Sequence, residues 1–379
     1  MRDKKHSKKI ILISLSTFFI TACNETNNAV NTSEDNSNQF ASRSWSQLDP
    51  SLSSNFDFEL RAIHFIDGEK IWAAGGFTND GFSSKAGIIY SKDGGYTWSE
   101  SDVYGDLWEI YGIHFFDNNK GWIVGNGDNK GLILNTSNGG KNWSQQTHST
   151  GVLNTFYDVH FVNATHGWII GGREDTNERV VLHTENGGDT WTEIYDFGSG
   201  LPFLSMSIVD QNNAWLVGMD VESDTGHSYY ETTDGGTNWQ TGKTGSYELA
   251  GLVAHSFDRV EFIDTSVGYV SSGSTVMKTI DGGLEWVRVF QLNDMDIKDM
   301  TFLNADIGWL VGSGRGGAND LGKIYFTSDG GESWTLEHIS YDNNINNIDT
   351  ALNAINALDI NNVMTVGKRL TIFKRSENP

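Results

Sequence analysis

The chain has 379 residues, a net charge of −23 and a single cysteine. With 49 acidic against 26 basic residues it repels nucleic acid and anionic lipid surfaces, and its lone thiol excludes an internal disulfide. No P-loop, Rossmann fingerprint or zinc spacing occurs, so no cofactor, no metal and no nucleic-acid partner is expected.

Residues 1–22 read as a signal peptide. Arg2, Lys4, Lys5, Lys8 and Lys9 precede an apolar run of about a dozen residues, too short to cross a bilayer as a helix. The stretch "ITAC" (Ile20–Cys23) resembles a bacterial lipobox, so Cys23 is expected to be lipidated. Cleavage before Cys23 takes the net charge to −27, since five cations and Asp3 leave. Asn24 after the cysteine resembles the sorting pattern of outer-membrane lipoproteins. The expected location is therefore the outer membrane, facing the periplasm, or the cell surface. Residues 23–43 are polar and short of apolar side chains, and read as a lipid-anchored flexible tether.

From Ser44 onward the text is periodic. "SWSQLD" (Ser44–Asp49) is a strand that resembles "TWSESD" (Thr97–Asp102). Seven first strands follow, from "IHFID" at Ile63 to "INALD" at Ile355, each trailed by a second run such as "GWIVGN". Six turns of the form "TSDGGESW" come after a third run, and their third positions are Asp93, Asn138, Asn186, Asp234, Asp281 and Asp329. The steps between them are 45, 48, 48, 47 and 48 residues, a period that means a propeller or a solenoid. The Asp/Asn side chain and the glycine pair suit a tight turn between antiparallel strands, which selects the propeller.

Four short strands per unit make one blade. The last unit stops after its third strand, and "SWSQLD" supplies the missing fourth. The prediction is an all-β, seven-bladed β-propeller over residues 44–379, with four-stranded antiparallel blades and a ring closed by the N-terminal strand. Seven tryptophans (Trp45, Trp98, Trp143, Trp191, Trp239, Trp286, Trp334) mark fourth strands. Five more (Trp72, Trp122, Trp168, Trp215, Trp309) mark second strands, with Tyr269 in the same slot. These twelve read as inter-blade packing, and Trp108 alone is out of register.

The Asp turns lie on one face, and the loops entering each first strand lie on the other, where loops vary without disturbing the blades. Tyr104, Trp108, Tyr111, Tyr157, Tyr195, Phe197, Tyr247, Phe257 and Tyr341 are expected around that mouth, ring types favoured at interface centres. Arg61 and Arg259 are the cations near it. Asp158 and Asp299 share one repeat position, with Asp258 next in register, and read either as an acid/base pair or as solvated acids. His64, His114 and His160 recur at one position in the first three units. They read as half-buried repeat residues rather than metal ligands, on the expectation that strands of different blades diverge. The loops Asp220–His227 and Asn126–Gly131 lack a fixed Ca²⁺ ligand spacing and read as solvated turns.

The combined motif "F-x-D-x-x-x-G-W-x-V-G" then "T-x-D-G-G-x-x-W" resembles the Asp-box (BNR) propellers, and among them the photosystem II stability/assembly factor family. The likeness runs from Ser44 to Lys374. It implies a seven-bladed propeller that binds and chaperones a membrane-protein partner without catalysis. Nothing else in the sequence points to photosynthesis, so a non-photosynthetic bacterial lipoprotein member is expected. Sialidases share the Asp box, but the Arg-Ile-Pro expected of them is absent. The reading is a lipid-anchored assembly or stability factor of the cell envelope, binding through Arg61, Trp108, Tyr111, Tyr157, Asp158, Phe257, Arg259 and Asp299. The alternative is a glycan-active or glycan-binding propeller.

Overall fold

The computed structural model describes residues 43–52, 58–77, 86–101, 107–127, 130–148, 154–173, 176, 178–194, 197, 200, 202–218, 228–243, 257–292, 295–314, 322–337, 339–340 and 350–377. The leader, Cys23, the tether up to residue 42, Tyr104, Tyr195, the loop Asp220–His227, Tyr247 and Tyr341 lie outside the described residues.

Six four-stranded antiparallel sheets follow one another in chain order. Their first strands, Phe58–Phe65, Glu109–Phe115, Asn154–Phe161, Phe203–Ile208, Arg259–Phe262 and Met295–Phe302, open blades 1 to 6. Blade 7 consists of Leu352–Asp359, Asn362–Gly367, Ile372–Glu377 and, as its outer strand, Arg43–Leu48. That outer strand pairs antiparallel with the chain's last one, from Arg43↔Glu377 to Leu48↔Ile372. The ring therefore closes as the repeat count requires. One strand goes beyond the four-per-blade expectation: Ile339–Ser340 pairs parallel with Trp45 and Ser46, so blade 7 has five strands. It covers an edge that would otherwise carry unpaired backbone groups.

Each Asp turn is built by the same bonds. The hydroxyl of Ser91, Thr136, Thr184, Thr232, Thr279 or Thr327 accepts the second glycine's N–H at 2.8–2.9 Å. The same hydroxyl donates to the box carboxylate or amide oxygen at 2.8–3.0 Å. That oxygen also accepts the N–H four residues on, at 2.8–3.0 Å. Both glycines sit at positive φ, between 67° and 101°, where a side chain is strained. The first glycine's N–H donates at 2.8–3.0 Å to the turn joining first and second strands. Box and turn thus share one end of every blade that has a box.

The repeated rings lie between blades. Trp72, Trp122, Trp215 and Tyr269 stack on Phe115, Phe161, Phe262 and Phe302 of the next blade, with centroids 3.4–4.9 Å apart. The outer tryptophans Trp143, Trp191, Trp286 and Trp334 meet the same phenylalanines edge-on at 5.8–6.1 Å. At the closing seam Ala357 stands where the phenylalanine would be. There the Arg375 guanidinium takes its place, 5.2 Å from the Trp309 ring and 4.9 Å from Phe326.

One irregularity positions the site. In six blades the first strand slips register by one residue, at Arg61, Tyr111, Tyr157, Leu204, Lys298 or Asn353. Opposite each bulge is a second-strand glycine: Gly75, Gly125, Gly171, Gly218, Gly312 or Gly367. A Cβ there would lie only 1.9–2.4 Å from the carbonyl at the start of the first strand. Bulges of this kind re-aim a side chain, here toward the channel mouth.

Candidate functional site

All seven first strands line a central cavity of about 360 Å³. A second cavity of about 570 Å³ shares Arg61, Tyr111, Tyr157, Leu204 and Arg259 with it and adds Lys298 and Asn353. The bulged residues therefore form the mouth, and two deeper rings lie below them. The first contains Ala62, Gly112, Asp158, Ser205, Arg259, Asp299 and Ala354. The second contains His64, His114, His160, Ser207, Glu261, Thr301 and Asn356.

At the mouth, the Arg61 guanidinium lies 5.4 Å from the Tyr111 ring centroid, and Tyr111 lies 5.1 Å from Tyr157. Glu59 and Glu109 pair with Arg61 at 3.3 and 3.5 Å. The Tyr111 hydroxyl donates to Glu109, and burial together with that carboxylate holds its pKa above the usual phenol range. The two rings and the arginine form one half-buried, pre-ordered surface.

The deeper rings staple blade to blade. Asp158 accepts the Met206 N–H at 3.4 Å, Ser205 that of Val260 at 3.2 Å, and Asp299 that of Ile355 at 2.9 Å. Below them, Ser207 accepts from Phe262, Glu261 from Phe302 and Asn356 from Phe65, at 2.8, 3.0 and 3.2 Å. Arg259 contacts Asp299 at 3.3 Å. Burial pushes Asp158 up to about 7 and Glu261 up to about 8, and it raises Asp299 as well. Burial thus favours the protonated form of these channel carboxyl groups.

The histidines require a correction. Their strands do not diverge: His64 and His114 have ring centroids 5.0 Å apart, and His114 and His160 4.7 Å. First strands are the innermost strands, so equal repeat positions converge on the axis. His64 Nε2 lies 2.9 Å from the Phe115 carbonyl oxygen, across the blade boundary. Burial drives His64 and His160 down to about 4, and His114 well below its ordinary value. Among the described residues no group of three or more His, Cys, Asp or Glu is placed to hold a metal.

The structure brings Arg61, Tyr111, Tyr157, Asp158, Arg259 and Asp299 together around one cavity. It does not bring Phe257 there. That ring is 1% exposed and packs with Trp215 and Trp286 between blades 4 and 5, as an apolar residue at a blade boundary will. Phe197 is likewise buried, against Phe203, Tyr230 and Trp239. Trp108 is 40% exposed and is not among the residues lining either cavity. Leu204, Lys298, Asn353 and Glu261 were missed in the sequence. The glycine ending each second run, Gly218 and Gly312 in "WLVG" and Gly367 in "MTVG", was the available signal for the bulge that displays the first three.

Comparison with known proteins agrees with this architecture. A model of the "Photosynthesis system II assembly factor YCF48" family matches residues 107–241, and the BNR/Asp-box repeat model matches residues 89–100. The photosystem II assembly lipoprotein Ycf48 of Synechococcus sp. (strain CC9902) is 28% identical over 131 residues, 35% of this chain. The match spans about a third of that relative's length, 35%. The solved structure of YCF48 bound to D1 peptide superposes with a TM-score of 0.63 at 17% identity, covering 89% of this chain and 96% of that one. YCF48 from Cyanidioschyzon merolae gives 0.60 at 16%, covering 88% and 98%. At these identities the two structures attest the fold. By its boxes, its blade count and these matches, the chain is an Asp-box (BNR) repeat propeller resembling the photosystem II stability/assembly factor family.

Proposed function

We propose that the chain is a non-catalytic assembly or stability factor of the cell envelope, held to a membrane through lipid on Cys23, that grips a segment of a membrane-protein partner at the channel mouth. One observation carries this reading: six repeated bulges turn Arg61, Tyr111, Tyr157, Leu204, Lys298 and Asn353 into a single mouth. A uniform scaffold presenting non-uniform side chains suits recognition of one peptide-like partner. Two tyrosines and an arginine, already packed together, lose little freedom on binding. The solved relative with a bound D1 peptide is in keeping with a peptide ligand. Affinity capture from detergent-solubilised envelopes tests it. Wild type retains a membrane-protein partner that Tyr111→Ala/Tyr157→Ala loses while melting at the same temperature. An identical set of captured proteins from the two overturns it.

A second reading rests on Asp158, a carboxyl held near pKa 7 beside Arg259 and Asp299. A proton-bearing acid facing a second carboxylate suits glycoside hydrolysis. Both acids already accept a backbone N–H from the neighbouring blade, which favours the stapling role. Oligosaccharide cleavage by wild type that Asp158→Asn abolishes would reverse that order.

A further inference from the structure

Large apolar side chains are exposed at the box end of the ring. Among the described residues Tyr96, Ile280 and Leu284 are 69%, 73% and 77% exposed, and all three flank box residues. Phe116 and Leu358, both 41% exposed, stand where first strands of blades 2 and 7 turn into second strands, at the same end. In each boxed blade the first box glycine bonds to the turn joining first and second strands, so boxes and these turns share one end of the ring. Solvent alone gives no reason for this: the positions occupied by Ile280 and Leu284 are Ser328 and Glu332 in blade 6 and Glu185 and Asp189 in blade 3.

The path of the chain says what covers them. Third strands run toward the boxes, so Glu377, at the end of Ile372–Glu377, lies at the box end. Arg43 pairs with Glu377, so the outer strand of blade 7 also starts there. The chain therefore enters the ring from the box end. Cys23 lies twenty residues upstream, within a contour length of about 70 Å. The exposed residues form two groups, one on the adjacent blades 7, 1 and 2 and one on blade 5. A flat surface reaches both groups at once, whereas a compact partner covers one of them. With a net charge of −27 after cleavage before Cys23, attraction to anionic headgroups cannot supply the contact, which leaves insertion of apolar tips at the lipid interface. Tyr96, with the Lys374 ammonium 4.6 Å from its ring centroid, has the amphipathic character that suits that depth.

We propose that the box end of the propeller rests on the bilayer surface through Tyr96, Phe116, Ile280, Leu284 and Leu358, and that the channel mouth faces away from the lipid. The proposal rests on the anchoring at Cys23 put forward above. Lipid on Cys23 confines the ring near the surface, and weak apolar contacts made within reach of that tether add to it. The consequence is directional: the mouth meets parts of a partner that stand off the membrane, not its hydrophobic spans.

The test uses the full lipidated chain reconstituted in phosphatidylcholine vesicles carrying a nitroxide-labelled lipid. An environment-sensitive dye is placed at Leu284→Cys, or at the mouth as Lys298→Cys. Intact mass reports lipid on Cys23 separately; an unmodified Cys23 overturns the anchoring and this orientation with it, and leaves the mouth's binding role to its own capture experiment. With Cys23 lipidated, quenching at Leu284→Cys is expected to exceed that at Lys298→Cys about threefold or more, as for a probe within ~10 Å of the headgroup boundary. Ile280→Gln in the Leu284→Cys chain should weaken that quenching. Equal quenching at both positions, stronger quenching at the mouth, or protection of Leu284→Cys that depends on protein concentration, as a second copy would give, overturns the proposal.

Discussion

Arg375 and Glu337 are joined by a buried ion pair at the closing seam: Arg375 Nη2 lies 2.7 Å and Nε 3.1 Å from Glu337 Oε1. The other carboxylate oxygen accepts the indole N–H of Trp45 at 2.5 Å. One side chain that follows blade 6 thus binds the last strand of the chain and the first at once, in a site where Arg375 is only 1% exposed.

Removing one partner leaves a charge buried without compensation. Glu337→Ala is expected to cost about 3–5 kcal/mol, read as a drop in the urea midpoint at constant slope. Glu337→Ala/Arg375→Met should recover much of that loss, since an apolar pair avoids the desolvation cost. A single variant that loses under about 1 kcal/mol would mean that strand pairing alone closes the ring.

Asp329 accepts from Thr327 and from the Ser333 N–H and hydroxyl. Asp329→Ala should lower stability by about 1–3 kcal/mol, the range for hydrogen bonds lost at a partly buried turn. Partner capture at the mouth should be unaffected at a temperature where the variant stays folded. Reduced capture without reduced stability would place the boxes in the binding surface.

Glu261 gives the stability curve a downward slope between about pH 4.5 and 8. Its folded pKa, raised by burial to about 8, exceeds its ordinary 4.5, so the native state holds a proton that the unfolded chain releases. That contribution is complete below about pH 4.5 and is lost as pH rises through about 8. His64 and His160, pushed down to about 4, act in the opposite sense: their contribution is present above about pH 6.5 and is lost as pH falls through about 4. Glu261→Gln keeps an acceptor for the Phe302 N–H. It should raise stability at pH 8.5 by on the order of 2 kcal/mol and flatten the decline between pH 6.5 and 8.5. An unchanged slope in denaturation series would show that Glu261 ionises freely.

Much of the scaffold was legible because it is written in spacing. The 48-residue steps, the missing fourth strand and the tryptophan register follow from sequence position alone. What escaped depends on how strands meet. Lys298 and Asn353 look like ordinary alternating strand residues until the bulge beside Gly312 and Gly367 turns them into the mouth. The convergence of His64, His114 and His160 required knowing that first strands are innermost. Phe257 sits in a loop by sequence, and only the packing of blades 4 and 5 assigns it to the core. Arg375 could not be foreseen at Trp309, since its place there exists only because Ala357 left it empty.

The closing strand also sets an order of events. Arg43–Leu48 docks on Ile372–Glu377, more than three hundred residues away, so the first segment of the ring to be synthesised cannot be seated until the last has emerged. Blades 1 to 6 are made of neighbouring segments and can form as they appear, whereas the seventh must wait and bear the whole loop-closure entropy. Completion of this propeller is thereby a check on its own integrity: a chain cut short before Ile372 would leave the Trp45 strand with no edge to join.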